Sequence, residues 1–251
     1  MEEMSLPTRK IRYMSKKIDR AILKLSGEVF GDEVDPIKFT NYESVAKEIL
    51  KIVEETKIEL AVVIGGGNIF RGREAESDVD NTEADAMGML ATVINGIGLR
   101  EALVRNGAKD TRLMTAFDLR AFAEPYIRLK ARHHLDEKRL VIIAGGLGIP
   151  NFSTDSAVAQ YADELRCNII FKASTVDGVY DSDPWKNHKA IRYNSVTYQE
   201  AIVKELGIMD TTAFAMCKRS GIPIFVFNIS DLDKLPQIIK GDYSFGTLIH
   251  K

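Results

Sequence analysis

The sequence holds only two cysteines in 251 residues, Cys167 and Cys217, both inside apolar-periodic segments. That excludes a disulfide framework and points to a reducing cytoplasm. Basic excess is also absent: 34 Lys and Arg against 36 Asp and Glu leave a formal charge of −2. General binding to nucleic acid or to a membrane surface is therefore not expected. No apolar run approaches the roughly 20 residues needed to span a bilayer. The N-terminus carries Arg9, Lys10, Arg12, Lys16 and Lys17 with no apolar stretch after them, so it is not a secretory signal. Residues 1–17 read as a mobile extension, with Met14 a candidate native start. The four histidines (His133, His134, His188, His250) lack ligand spacing, and no metal-binding side chains are expected. Neither a Ser-His-Asp nor a Cys-His arrangement can be assembled. There is no repeat, no low-complexity tract and no linker rich in Pro, Gly or Ser. The remainder is an ordinary globular composition, 45% apolar and 28% charged, in a chain long enough for one large α/β domain or two lobes.

From residue 18 onward, strand and helix signals alternate. Strands are expected at Ile18–Leu25, Leu60–Ile64, Thr111–Phe117, Leu140–Ala144, Asn168–Lys172, Ile224–Asn228 and Gly246–His250. Helices are expected at Asn41–Glu55 with Asn41 as N-cap, at about Thr82–Asn106 closed by Gly107, and at Glu124–Glu137. Further helices are expected from Ser153-Thr154-Asp155 to Leu165, at Thr197–Leu206, Asp210–Ser220 and Leu232–Lys240, with a tight turn at Asp177-Gly178. This order predicts a mainly parallel sheet with helices on both faces, whose ligands bind at the carboxyl ends of the strands.

That is where the glycines are. Leu60 to Ile64 is an unbroken apolar run, the pattern of a strand buried on both faces, and it ends in Gly65-Gly66-Gly67-Asn68-Ile69-Phe70-Arg71-Gly72. Lys24-Leu25-Ser26-Gly27 and Gly145-Gly146-Leu147-Gly148 end two further strands. Glycine lets backbone N–H groups approach an anion, and Arg71 adds a planar, permanently charged fork suited to phosphate. The spacing matches neither a P-loop nor a dinucleotide fingerprint, because no Gly-Lys-[Ser/Thr] is present and position 70 is Phe. Lys24, between Leu23 and Leu25, lies either at a sheet edge or against an anion. Asp155 is either a helix cap or a functional carboxylate, and Asp85 either a solvated or a binding residue. Lys172 is either a phosphate contact or a solvated strand end.

Four segments together carry a family resemblance: Ala61–Gly72, Asp85-Ala86-Met87-Gly88-Met89-Leu90-Ala91-Thr92-Val93-Ile94-Asn95-Gly96, Ser153-Thr154-Asp155, and Lys172–Pro184 with Val176-Asp177-Gly178-Val179-Tyr180. The chain resembles the bacterial uridylate (UMP) kinases of the amino acid kinase superfamily. The likeness covers residues 18–251, including Val226-Phe227-Asn228 and Gly246-Thr247-Leu248. It implies one α/β domain, a three-layer α/β/α sandwich around a mainly parallel sheet. The implied reaction moves the γ-phosphoryl of ATP, carried with Mg²⁺, to UMP in pyrimidine nucleotide biosynthesis. It further implies a cytoplasmic homo-oligomer, a hexamer. By motif, Lys24, Arg71, Asp155 and Asp210 are the implied catalytic set. Lys24, Leu25, Ser26, Gly27, Gly67, Arg71, Ser174, Tyr180 and Asp183 are the implied ATP contacts. Gly66, Asp85 and the loop Leu147, Gly148, Ile149, Pro150, Asn151, Phe152, Ser153 and Thr154 are the implied UMP contacts.

Phosphoryl transfer spreads charge over the equatorial oxygens, so a cationic, positioning site suffices; the acceptor oxygen of UMP is already ionised and needs no base. Two positions depart from the family pattern. Leu147 and Ile149 stand where Gly-Thr-Gly-Asn-Pro carries Thr and Asn, which bears on acceptor recognition. Arg112 and Arg139 match basic positions of the GTP site that some family members carry between subunits, while Val104 replaces a His found in others. Two alternatives follow: a superfamily kinase with another acceptor, and a nucleotide-binding module without turnover.

Overall fold

The structure is a computed structural model that describes residues 17–32, 34–71 and 79–251. The expected N-terminal extension, Lys17 aside, and Gly72 lie outside the described residues. The chain begins with β1 (Arg20–Leu25), a 3₁₀ turn at Gly27–Phe30, α1 (Phe39–Thr56) and β2 (Glu59–Ile64). Next come α2 (Asn81–Arg105), β3 (Arg112–Thr115), β4 (Glu124–Pro125), α3 (Arg128–Asp136) and β5 (Val141–Ala144). Then follow α4 (Thr154–Leu165), β6 (Ile169–Ser174), the pair β7 (Val179–Tyr180) and β8 (Arg192–Tyr193), β9 (Ser195–Thr197) and α5 (Tyr198–Val203). The last elements are α6 (Thr211–Ser220), β10 (Ile224–Asn228), α7 (Leu235–Ile239) and β11 (Gly246–His250).

Nine strands form one sheet in the order β4-β3-β5-β2-β1-β6-β10-β11-β9. Every neighbouring pair is parallel except β10 with β11. Alternation along each strand feeds two cores. Leu23 and Leu25 of β1 join Ile49 of α1, Leu99 of α2 and Leu235 of α7 on one face. Ile22 joins Leu135 of α3, Val158 of α4 and Phe214 of α6 on the other. The result is the expected three-layer α/β/α arrangement. Leu60 to Ile64 is buried throughout, as an apolar run covered on both faces must be.

Several local expectations are corrected. The helix proposed for Glu124–Glu137 begins only at Arg128, because Glu124 and Pro125 pair with Met114 and Thr115 of β3. Pro125 lacks an N–H, and an edge strand tolerates that. The cap of α1 is Lys38, with no side-chain bond, rather than Asn41. The β7–β8 pair, which is antiparallel and outside the main sheet, was not expected, nor was β9, the strand before α5. The helix expected at Leu232–Lys240 is a 3₁₀ segment, Ile229–Lys234, followed by the short α7. Finally, α2 with its 25 residues is long and apolar enough to cross a membrane by length and composition. Here it packs in the fold, with Leu99, Leu103 and Asn95 buried.

Candidate active site

The chain runs from β1 to β2 on one side and later returns to pair β6 on the other side of β1. Ligands of open α/β sheets bind at such a switch, beyond the carboxyl ends of the strands. Lys24 of β1 is the direct register partner of Lys172 of β6. Strands lie about 4.8 Å apart, so the two side chains stand side by side on one face. Their sequence neighbours Leu23, Leu25, Phe171 and Ala173 fill the opposite core, so both lysines point toward α4. Two adjacent ammonium groups away from water need an anion. Asp155, in the first turn of α4, supplies it: Lys172 Nζ lies 2.6 Å from Oδ2 and Lys24 Nζ 3.5 Å from Oδ1. All three side chains are at most 16% exposed. Lys24 is thus on an interior strand and ion-paired, and Lys172 is buried rather than solvated.

Burial pushes the Asp155 carboxyl up, but the charges of Lys172 and Lys24 outweigh it and hold it below its ordinary value. Burial, then the Lys24 charge, pushes the Lys172 ammonium below its ordinary value against the pull of Asp155. The Asp210 charge also pulls on Lys172, so the cluster sets two ammonium groups against two carboxylates.

The cap of α4 is Ser153, whose Oγ accepts from the Asp155 and Ser156 N–H groups at 3.0 and 3.1 Å. Asp155 is thereby released from capping and free to face the lysines. Asp210 caps α6, accepting from the Ala213 N–H at 2.8 Å, and also accepts from the Ser153 and Ser156 hydroxyls. One carboxylate therefore ties together the N-termini of α4 and α6. It positions the helix that carries Asp155, and both helix ends add favourable potential for an anion.

The glycine turns are held from α2. Asn95, fully buried, donates to the Gly65 carbonyl at 2.8 Å and accepts from the Tyr42 hydroxyl. One turn earlier, Thr92 Oγ1 accepts from the Gly145 N–H at 2.6 Å. Each residue of the pair thus fixes one turn. A Cβ on Gly66 would lie 2.8 Å from both the Ala91 Cβ and the Gly88 carbonyl, and one on Gly27 2.7 Å from the Gly67 N. Gly67 differs: only Arg71 Cγ, at 4.0 Å, would meet its Cβ. Arg71 Nε donates to the Gly67 carbonyl at 3.0 Å, and its guanidinium pairs with Glu28 at 2.9 Å.

Two clefts flank this group. The first, about 410 Å³, is lined by Lys172, Ser174, Tyr180, Asp183 and Lys204 to Ile208, among others. The second, about 290 Å³, is lined by Gly66, Gly67, Asp85, Ile149, Phe152, Ser153 and Thr154, with Phe70 and Met89. A larger hollow of about 500 Å³, between α1 and residues 229–233, contains neither lysine. Of the expected UMP loop, Ile149, Phe152, Ser153 and Thr154 face the second cleft, whereas Leu147, half-buried, packs against the α4-side core. Asn151 contributes its N–H, which donates to Asp85 Oδ2 at 2.6 Å and joins the loop to α2. Gly148 has a φ of +75° and approaches the Ala116 carbonyl, and with Pro150 it shapes the loop. Leu25 has a fully buried side chain and its carbonyl accepts from the Gly65 N–H, so it offers a ligand no side-chain contact. Ser26 and Gly27 stand at the β1 end.

Thr92 and Asn95 escaped notice as site residues, though two polar positions three apart in an apolar helix were a usable signal. Lys172, left open between a phosphate contact and a solvated strand end, is buried beside Lys24 and Asp155. Among the described residues, no group of three or more His, Cys, Asp or Glu side chains could hold a metal ion.

The model of the amino acid kinase family matches residues 19–228. Among solved structures, the UMP kinase of Bacillus anthracis is 39% identical, with a TM-score of 0.89, covering 94% of this chain and 97% of that one. The UMP kinase of Ureaplasma parvum is 33% identical with a TM-score of 0.86, over 94% and 100% of the two chains. The uridylate kinase of Archaeoglobus fulgidus is 25% identical with a TM-score of 0.69, over 91% and 99%.

Proposed function

The chain belongs to the amino acid kinase family and, within it, to the UMP kinases, and from that premise we propose that it transfers the γ-phosphoryl group of ATP to UMP. The products are ADP and UDP. The observation that carries this reading is the register-paired Lys24 and Lys172, locked on Asp155 between two clefts. ATP occupies the first cleft with its phosphates at Lys172, and UMP the second, near Asp85. The bond from the γ-phosphorus to the β-bridging oxygen breaks as a UMP phosphate oxygen bonds to the same phosphorus. Negative charge spread over the equatorial oxygens shifts toward the leaving oxygen, and the lysines, the helix N-termini and the Gly67 backbone meet it there. Gly67 supports this role because its missing Cβ serves no packing need and leaves room for a phosphoryl group. Arg71, anchored on the Gly67 carbonyl, is placed to exchange Glu28 for a phosphate oxygen.

The cationic donor set does not form a cage for Mg²⁺, which binds through oxygens. Mg²⁺ would therefore enter with the ATP donor and supply charge neutralisation there, and not as a resident of these side chains. Residues 18–251 act as one domain in this reading. Met87, Leu90 and Ile94, each nearly half exposed and spaced along one face of α2, support the homo-oligomer. The hexamer itself rests on the resemblance, and light scattering measures it. The buried thiols of Cys167 and Cys217, which burial pushes up to about 12, fit a reducing cytoplasm, and UDP formation fits pyrimidine nucleotide biosynthesis. A coupled ADP-release assay across UMP, CMP, dUMP and small carboxylic acids tests the reaction. Turnover greatest with UMP is expected; ATP binding without turnover on any acceptor would refute it.

A further inference from the structure

The only tryptophan of the chain, Trp185, lines the first cleft and is 74% exposed. A surface aromatic alone means little, but this one is braced. The Trp185 backbone N–H donates to Asp183 Oδ1 at 3.0 Å, and the Lys186 and Asn187 backbone N–H groups donate to the Asp183 carbonyl. Asp181 and Ile191 close the loop through a backbone bond at 3.1 Å. The indole thus rides on a hydrogen-bonded turn while its own ring faces are largely bare.

The charge along the cleft gives it a direction. Its deep end holds Lys172, next to Asp155 and Lys24. Its rim holds Asp181, Asp183 and Glu205. The one ammonium of the opposite wall, Lys204, is turned onto the Tyr193 ring, 4.7 Å from the centroid, and donates to the Tyr193 hydroxyl. A polyphosphate is therefore drawn to the deep end and repelled from the rim. The uncharged end of the same molecule is left beside Trp185, Pro184, Leu206 and Ile208.

We propose that the Trp185 indole stacks on the base of the donor nucleotide and gives the enzyme a preference for purine donors. This rests on the assignment of the first cleft to ATP. A fused purine offers more π-surface to an indole than a pyrimidine does, and stacking of this kind tolerates either purine.

The test uses the full-length enzyme and its single tryptophan as the reporter. Wild-type turnover of UMP with ATP is measured first; its absence would refute the proposed reaction and not the stacking. ATP titration is expected to change Trp185 emission with a midpoint near the KM for ATP, whereas inorganic tripolyphosphate is expected to leave the emission unchanged. Trp185→Ala is expected to raise the KM for ATP about 5- to 30-fold. It should also narrow the gap in kcat/KM between purine and pyrimidine triphosphates and leave the KM for UMP unmoved. Trp185→Phe should recover most of the loss. An unchanged KM for ATP in Trp185→Ala, an emission unmoved by saturating ATP, or an equal response to tripolyphosphate would each overturn the proposal.

Discussion

Replacing Asp155 by Asn removes the charge that permits two lysines to sit side by side. At 2.6 and 3.5 Å, with an effective dielectric of about 20, the two attractions amount to about 6 and 5 kcal/mol gross. Desolvation of three charges offsets most of this, and the net worth of the group is modest. Removing only the carboxylate is different, because both ammonium groups stay buried and repel one another. The expected cost is about 3–5 kcal/mol, which for a chain of this size lowers Tm by about 10 °C. The variant keeps its positive charges, so ATP should still bind, while the lysines lose their alignment and turnover falls by about 100-fold or more. Differential scanning calorimetry without nucleotide, followed by steady-state kinetics, measures both effects.

The pH dependence supplies a sharper check. The folded-state carboxyl lies below its ordinary value, so its contribution is present above the unfolded value of about 3.9 and is lost as pH falls through the lower folded one. The stability gap between wild type and Asp155→Asn should thus be full at pH 7 and close only below about pH 4. A Tm change under about 2 °C, or a gap that closes between pH 5 and 7, would refute the reasoning.

The glycines predict a contrasting pair. Gly66→Ala places a Cβ 2.8 Å from the Gly88 carbonyl and the Ala91 Cβ, so it should lower Tm by several degrees, read by calorimetry. Gly67→Ala, meeting only Arg71 Cγ, should leave Tm nearly unchanged but cut kcat about tenfold or more by crowding the phosphoryl group. Leu147 and Ile149 should separate as well. Leu147→Thr, half-buried against the core, should cost about 1 kcal/mol of stability with the KM for UMP unmoved. Ile149→Asn, on the second cleft, should change that KM with little effect on Tm in denaturation and kinetic assays.

The alternation of β and α segments was readable because buried strands and amphipathic helices have different periods. The two turns Gly65–Gly67 and Gly145–Gly148, and Lys24 inside an apolar strand, marked the site for the same reason: each violates the pattern around it. Asp155 was ambiguous because Ser153, Thr154 and Asp155 can all cap a helix, and only the folded structure shows that Ser153 does so. Lys172 was ambiguous because its partners, Lys24 by register and Asp155 by ion pair, are distant in sequence. Pro125 shows the converse failure. A helical pattern in residues 124–137 was genuine from Arg128 on, but strand pairing with β3 decided the first residues. Departures in the acceptor loop looked equivalent in sequence, yet Leu147 and Ile149 face opposite environments.

The site is built from groups that would be unfavourable without one another. Lys24 and Lys172 repel, Asp155 is buried, and the caps Ser153 and Asp210 hold two helix N-termini together. Asp210 also acts on Lys172, so two carboxylates balance the two ammonium groups in the ligand-free protein, and an arriving phosphate meets lysines already held in place by their partners. Transfer moves negative charge from the γ-phosphoryl group onto the leaving oxygen of ADP. A cationic pair fixed by sheet register and a shared carboxylate does not have to reorganise to follow that charge, which is what makes preorganised donors more effective than water. The rigidity comes from the sheet: Lys24 and Lys172 lie on the central strands β1 and β6, whose residues on the other face, Leu23, Leu25 and Phe171, are fully buried. The same packing that stabilises the fold therefore sets the spacing of the cations, and loosening either core should lower kcat before it abolishes folding.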